Sequence, residues 1–201
     1  VSCKVLNLET LEIENFTNEE CKFGYRESVF KREGKGKYVI LEVTFKLSRK
    51  NHQIKTEYGA IKTELEKLGV ENPSIQDISR AVINIRQSKL PDPKVTGNAG
   101  SVFKNPTIPL EQFLRVQKEY PEMPNYPNGD LVKIPAGWLI EQCGWKGKQV
   151  GNTGAHKNQA LVLVNYGNAT GAEIMQHAFT IQQSVQEKFG ITIVPEVNLI
   201  S

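Results

Sequence analysis

SKLPDPKVTGNAGSVFKNP, residues 88–106, is the stretch on which the reading of this chain turns. It sets Pro91, Pro93, Gly97, Gly100 and Pro106 among lysines and asparagines, directly after a helical pattern. Such a composition predicts an irregular segment from Lys89 to Pro106, and ordered loops of that length are uncommon unless they carry a task. Gly97 and Gly100 free the backbone to adopt positive φ or to approach a ligand closely. Lys89, Lys94 and Lys104, with Asn98 and Asn105, supply donors suited to a phosphate or pyrophosphate. The same composition also fits a solvated surface loop. No GxxxxGK[ST] pattern is present, and Gly34-Lys35-Gly36 lacks the third glycine of a dinucleotide fingerprint. GNAG has no basic residue between its glycines, unlike an RNA-binding GxxG loop. Ser101 does not stand in a G-x-S-x-G elbow, which argues against a serine hydrolase using His156.

Working upstream, Ser74 and Asp77 form a capping-box pattern opening a helix whose Ile75, Ile78, Ala81, Val82 and Ile85 share one face. YVILEVTFKL, residues 38–47, is dense enough in Val, Ile and Phe to predict a buried strand. Residues 2–8 and 11–16 predict a hairpin with its reversal near Glu9-Thr10. That opening, strand directly after Val1, suggests a chain beginning inside a longer protein. Downstream, helices are predicted for residues 109–120 and 135–143, the latter ending at Gly144. Residues 160–165 read as a buried strand. Thr170 and Glu173 form a second capping box, opening a long helix with Ile174, Ala178, Ile181 and Val185 on its apolar face. ITIVPEVNLI then reads as a closing strand. The fold class is α+β, in two pieces.

Bulk numbers narrow the function. Of 201 residues, 39% are hydrophobic and 23% charged, the balance of an ordinary globular protein. The net charge of +3 is spread along the chain, which gives no nucleic-acid footprint. No apolar run is long enough to span a bilayer, and VSCKVLNLET has no signal-peptide layout. Cys3, Cys21 and Cys143 are odd in number, with no CxxC and no histidine at metal spacing. They read as buried thiols in a reducing compartment, and no metal is expected.

Three further segments are weighed on their residues. Tyr126 sits between prolines in MPNYPNGDLVKIPAG, with Lys133 just beyond. Such a preorganised loop could lay the ring over a ligand, although an ordinary surface tyrosine fits slightly better. His156 and Gln159 stand at a strand entry, and a lone histidine is more often structural. Glu196 lies among apolar residues in VPEV, where a carboxylate needs a partner or a task.

FGYRESVF, the 88–106 stretch, NYP, AGWLIEQCGWKG, HKNQALVLVN and PEV, in this order and spacing, resemble the UDP-N-acetylenolpyruvylglucosamine reductase family, also called UDP-N-acetylmuramate dehydrogenases. The resemblance runs over essentially the whole chain, and GNAGSVFKNP is its most specific element. It implies the closing strands of a flavin-binding sheet domain followed by an α+β substrate-binding domain. Residues 1–57 would be the flavin-domain remnant, 58–88 a helical connection, 89–190 the substrate domain and 191–201 a closing strand. In the implied reaction NADPH reduces FAD, the flavin passes hydride to the enolpyruvyl group, and a serine protonates the neighbouring carbon. Ser101 stands at that serine's place. Glu196 matches the family's active-site glutamate, which helps polarise the substrate carboxyl. Tyr25, Lys89, Asn105, Tyr126, Lys133 and Gln159 would hold the UDP-sugar, and NYP marks the form with a covering tyrosine loop. The expected partners are the UDP-sugar and NADPH, with no nucleic acid and no membrane, in a cytoplasmic monomer serving peptidoglycan synthesis. Two departures stand out. The family's upstream glycine-rich FAD segments and catalytic arginine are absent, so this chain by itself is expected to be inactive. Asn198 replaces a common arginine. A non-catalytic nucleotide-sugar-binding module of the same fold is the alternative.

Overall fold

The computed structural model describes residues 2–57 and 59–199, and two compact units divide the chain, Val1–Ile54 and Lys55–Ser201. In the first, β1 (Ser2–Asn7) is flanked by β2 (Ile13–Thr17) and β3 (Tyr38–Thr44), both antiparallel to it. The expected hairpin forms because Asn7 Oδ1 accepts the N–H groups of Glu9 and Thr10, at 2.9 and 3.2 Å, and so turns the chain. Alternation along β1 buries Cys3 and Val5 together. Phe16, Phe30 and Tyr38 pack beside them as a cluster of tilted and edge-on rings, with centroids 5.2–6.1 Å apart.

One expectation fails in this unit. The 38–47 run is not a buried strand. β3 is an edge strand, and Val39, Ile40, Leu41 and Val43 keep 44–47% of their surface exposed. Apolar density marks a strand but does not set what covers its faces. Cys3 and Cys21, distant in sequence, touch through their thiols, and burial pushes the Cys21 thiol up to about 11.

In the second unit α1 (Ile61–Lys67) and α2 (Ile75–Lys89) pack through Ile61, Leu65 and Ala81. The Ser74 capping box is formed: Ser74 Oγ accepts from Asp77 N at 3.2 Å, and Asp77 Oδ2 accepts from Ser74 N at 3.0 Å. The stretch after α2 is less irregular than expected. Only residues 90–96 form a loop before β4 (Gly97–Ser101) and β5 (Phe103–Lys104). Asn98 explains why: its amide donates to the Thr96 and Pro91 carbonyls, at 2.8 and 3.3 Å, while its Oδ1 accepts from Gly100 N. That commitment removes Asn98 from the donors expected for a phosphate. Gly100 takes φ +73° with nothing near its missing Cβ, so conformation rather than close approach requires glycine there.

β6 (Thr107–Pro109) leads into α3 (Leu110–Glu119), and the proline loop proves to be a hairpin of β7 (Tyr126–Asn128) and β8 (Leu131–Lys133). α4 (Ala136–Gln142) follows and stops at Gly144, φ +76°. β9 (Gln149–Val150), β10 (Thr153–His156) and β11 (Gln159–Asn165) join β4 in an antiparallel sheet ordered β4-β11-β10-β9. α5 (Gly171–Phe189) buries His177, Ala178, Ile181, Val185 and Phe189 in one stripe. The closing strand shrinks to β12 (Val194–Pro195), paired with β5. Ile191 and Ile193 still fill the core, fully buried, while Asn198 is exposed. No helix among the described residues is long and apolar enough to cross a membrane.

A candidate cleft and a serine–glutamate pair

α2 presents Val82, Ile85, Arg86 and Lys89 at the i, i+3, i+4, i+7 spacing of one helical face. That face lines a cleft of about 750 Å³, closed on other sides by Gly59, Ala60, Ile61, Asn105, Tyr126, Lys133 and Pro135, with Glu57 at its edge. Four expected substrate-holding residues, Lys89, Asn105, Tyr126 and Lys133, therefore meet in one place. Their positions follow from local structure. Tyr126 and Lys133 are directly opposite across the β7–β8 hairpin, so both side chains leave the same face of the ribbon. Gly129, φ +62°, makes the tight reversal between those strands. Asn105 Oδ1 accepts the Ala136 N–H at 2.9 Å, capping α4 and turning its amide nitrogen into the group available to a ligand. Tyr126 is 55% exposed, open to whatever enters.

Gln159 stands beside the same helix start. Its Oε1 lies 3.5 Å from where a Cβ on Gly137 would be, and it accepts a long hydrogen bond from Leu161 N. The β10–β11 turn is docked on the end of α2, with Asn158 Nδ2 donating to the Ser88 carbonyl at 3.1 Å. His156 hydrogen-bonds the Lys89 main chain in the same place. Burial, with Lys157 adding to it, holds His156 below the usual histidine range.

Ser101 and Glu196 stand elsewhere in the unit, on either side of a strand pairing. Pairing of β12 with β5 sets Pro195 opposite Phe103, and the Glu196 N–H donates to the Val102 carbonyl at 2.8 Å. Ser101 is the residue before Val102, fixed on its other side by pairing with Val162 of β11. A hydroxyl and a carboxyl from remote parts of the unit thereby flank one buried valine, both half-buried. Tyr25 belongs to the first unit, where it lines a recess of about 500 Å³ with Lys22, Glu27 and Arg32.

Arg86 was missed. It follows Ile85 in the sequence and adds a third cation to the cleft. Extending the helical face one residue beyond its apolar members would have found it.

Residues 92–200 match the family described as UDP-N-acetylenolpyruvoylglucosamine reductase, C-terminal domain. The chain belongs to that family. A relative named UDP-N-acetylenolpyruvoylglucosamine reductase in Flavobacterium johnsoniae is 55% identical over 201 residues, covering 100% of this chain and 60% of the relative. One of the same name in Chromobacterium violaceum is 51% identical over 186 residues, 92% of this chain and 54% of its own length. This chain therefore spans a little over half the length of the curated relatives it matches. Among solved structures, the UDP-N-acetylenolpyruvylglucosamine reductase of Thermus caldophilus aligns with a TM-score of 0.56 over 98% of this chain and 51% of the other, at 21% identity, which shows a shared fold.

Proposed function

We propose that this chain supplies the substrate-holding part, and the proton, of a reductase that converts UDP-N-acetylenolpyruvylglucosamine to UDP-N-acetylmuramate for cell-wall synthesis. The observation that carries the reading is the β5–β12 pairing, which gathers Ser101 and Glu196 about Val102. The cleft supports it. Arg86, Lys89 and Lys133 carry charge of the sign a diphosphate needs, and the Asn105 amide and the Tyr126 ring add a donor and a flat cover.

Saturating an enol ether adds a hydride to one carbon and a proton to its neighbour. This chain's part is the proton. A hydroxyl is a poor acid in water, but a carbanion or enol beside a carboxylate is strongly basic, so a held Ser101 hydroxyl can protonate it. Glu196, when it carries a proton, donates to the substrate carboxyl and draws off developing charge. FAD, recharged by NADPH, would provide the hydride. Its diphosphate calls for clustered main-chain N–H groups from a glycine-rich turn. Among the described residues the positive-φ glycines, such as Gly36, Gly59, Gly69 and Gly129, stand in separate turns. These residues do not fit the dinucleotide, and no step here is routed through it.

The test uses a full-length reductase carrying this chain. Ser101→Ala should leave flavin reduction by NADPH near normal while slowing reoxidation by substrate at least ~10²-fold, the lower range for lost acid catalysis. Equal slowing of both half-reactions would remove Ser101 from the chemistry.

A further inference from the structure

A second recess, of about 250 Å³, opens between α5 and the β9–β10 turn, lined by Trp145, Val150, Thr153, Gln176, His177 and Thr180. None of these residues lines the substrate cleft or belongs to the serine–glutamate pair. His177 is only 5% exposed, and its Nε2 has no hydrogen-bond partner among the described residues. The hydrogen bonds around it assign its protons. Thr153 Oγ1 donates its single proton to the Val150 carbonyl at 2.9 Å, so it can only accept from His177 Nδ1, 2.6 Å away. The neutral ring is therefore protonated at Nδ1, and Nε2 presents a bare lone pair. Buried polar atoms nearly always find a partner, and one that does not calls for an explanation. The Trp145 ring, 5.3 Å from that of His177 and tilted 59° to it, gives the recess an aromatic wall.

We propose that this recess is a second binding site, for a compact planar molecule of the phenol or indole class whose single O–H or N–H donates to His177 Nε2 while its ring packs on Trp145. The chemistry selects that class. An acceptor-only molecule would meet the Nε2 lone pair with its own. A strongly hydrated cation would exchange its water for His177 Nε2 and a Glu173 carboxylate whose Oε2 already caps α5, a poor trade. A recess of this size suits a single ring, since apolar cavities of about 150 Å³ already take up benzene. Nε2 itself has almost no accessible surface, so a donor reaches it only when the lining shifts, and the exposed Gln176 side chain is the readiest group to move.

The experiment titrates the 201-residue chain with phenol and, in parallel, with toluene, which matches its shape without the donor. Histidine labelled with ¹⁵N reports the site directly. Phenol should move the His177 Nε2 resonance upfield and bind at least ~10-fold tighter than toluene, the factor expected for one hydrogen bond to an otherwise unpaired buried acceptor. In His177→Phe phenol should lose that advantage while toluene keeps its affinity. Trp145→Leu should weaken both. Equal affinity of the wild-type chain for the two probes would overturn the site, as would an Nε2 resonance unmoved at saturation. An Nε2 shift already at its hydrogen-bonded value and insensitive to phenol would assign the atom to a held water and overturn it too.

Discussion

Tyr126 and His177 show how differently a single side chain can be placed. Tyr126 is held by a hairpin but left open, with Lys133 across the ladder. Tyr126→Phe removes only a hydroxyl, so substrate affinity in a full-length reductase should fall by about 0.5–1.5 kcal/mol, more if that hydroxyl meets phosphate. An unchanged dissociation constant would take Tyr126 out of the site. His177 is shut in, and burial, with Lys148 adding to it, holds it below the usual histidine range. His156 is lowered for the same leading reason. An unfolded histidine titrates near ~6.5, so from there down to the folded values the unfolded chain takes protons that the folded chain refuses. Stability should fall with pH over that window and stay flat above it. Urea midpoints from about pH 7.5 to about pH 5 would show this, with a shallower slope in His177→Gln. Equal slopes would mean that His177 contributes nothing to the acid loss. The Thr153–His177 bond itself was invisible in the sequence, because nothing local links a strand threonine to a histidine on the next helix.

Elements were most legible where their signals are short-range. Both capping boxes span four residues, and both are made as read; Thr170 Oγ1 accepts from Glu173 N at 3.2 Å while Glu173 Oε2 accepts from Thr170 N at 2.7 Å. Those bonds hold the Glu173 carboxyl below its ordinary range. Thr170→Ala should destabilise the chain by about 1 kcal/mol in urea unfolding, and Thr170→Ser should recover most of it. A loss within a few tenths for the alanine variant would show that α5 is held by its buried stripe alone. Strands were harder. The 38–47 run was recognised as β but misplaced as buried, because an edge position is a property of the sheet. Over residues 191–199 the strand is shorter than expected, since Ile191 and Ile193 are apolar for the sake of the core, not of a ladder, and Ile200 lies outside the described residues. The NYP turn hid a hairpin, because Pro127 and the short flanks masked its period of two. The donors of the cleft were nameable by residue type, yet Asn98 had to be struck off once its amide was seen spent on its own loop.

At the scale of the whole chain, the boundary between the two units falls between Ile54 and Lys55. Residues 45–55 are exposed and form no helix or strand, and they carry Lys46, Arg49, Lys50 and Lys55. Brief trypsin treatment should cut there first and leave the second unit as a resistant core, because protease needs an exposed, pliable segment. Early cleavage within residues 97–165 instead would show that the second unit is not cohesive. Legibility at this scale came from the linear order of motifs, whereas the closeness of Ser101 to Glu196 is set by a two-residue ladder between distant strands. That ladder also fixes a timetable. A nascent chain emerging from the ribosome can form the α1–α2 pair, the β7–β8 hairpin and much of the four-stranded sheet as each appears. It cannot bring Ser101 and Glu196 together until residue 196 has cleared the exit tunnel, so the proposed site of proton delivery is among the last features to mature during synthesis.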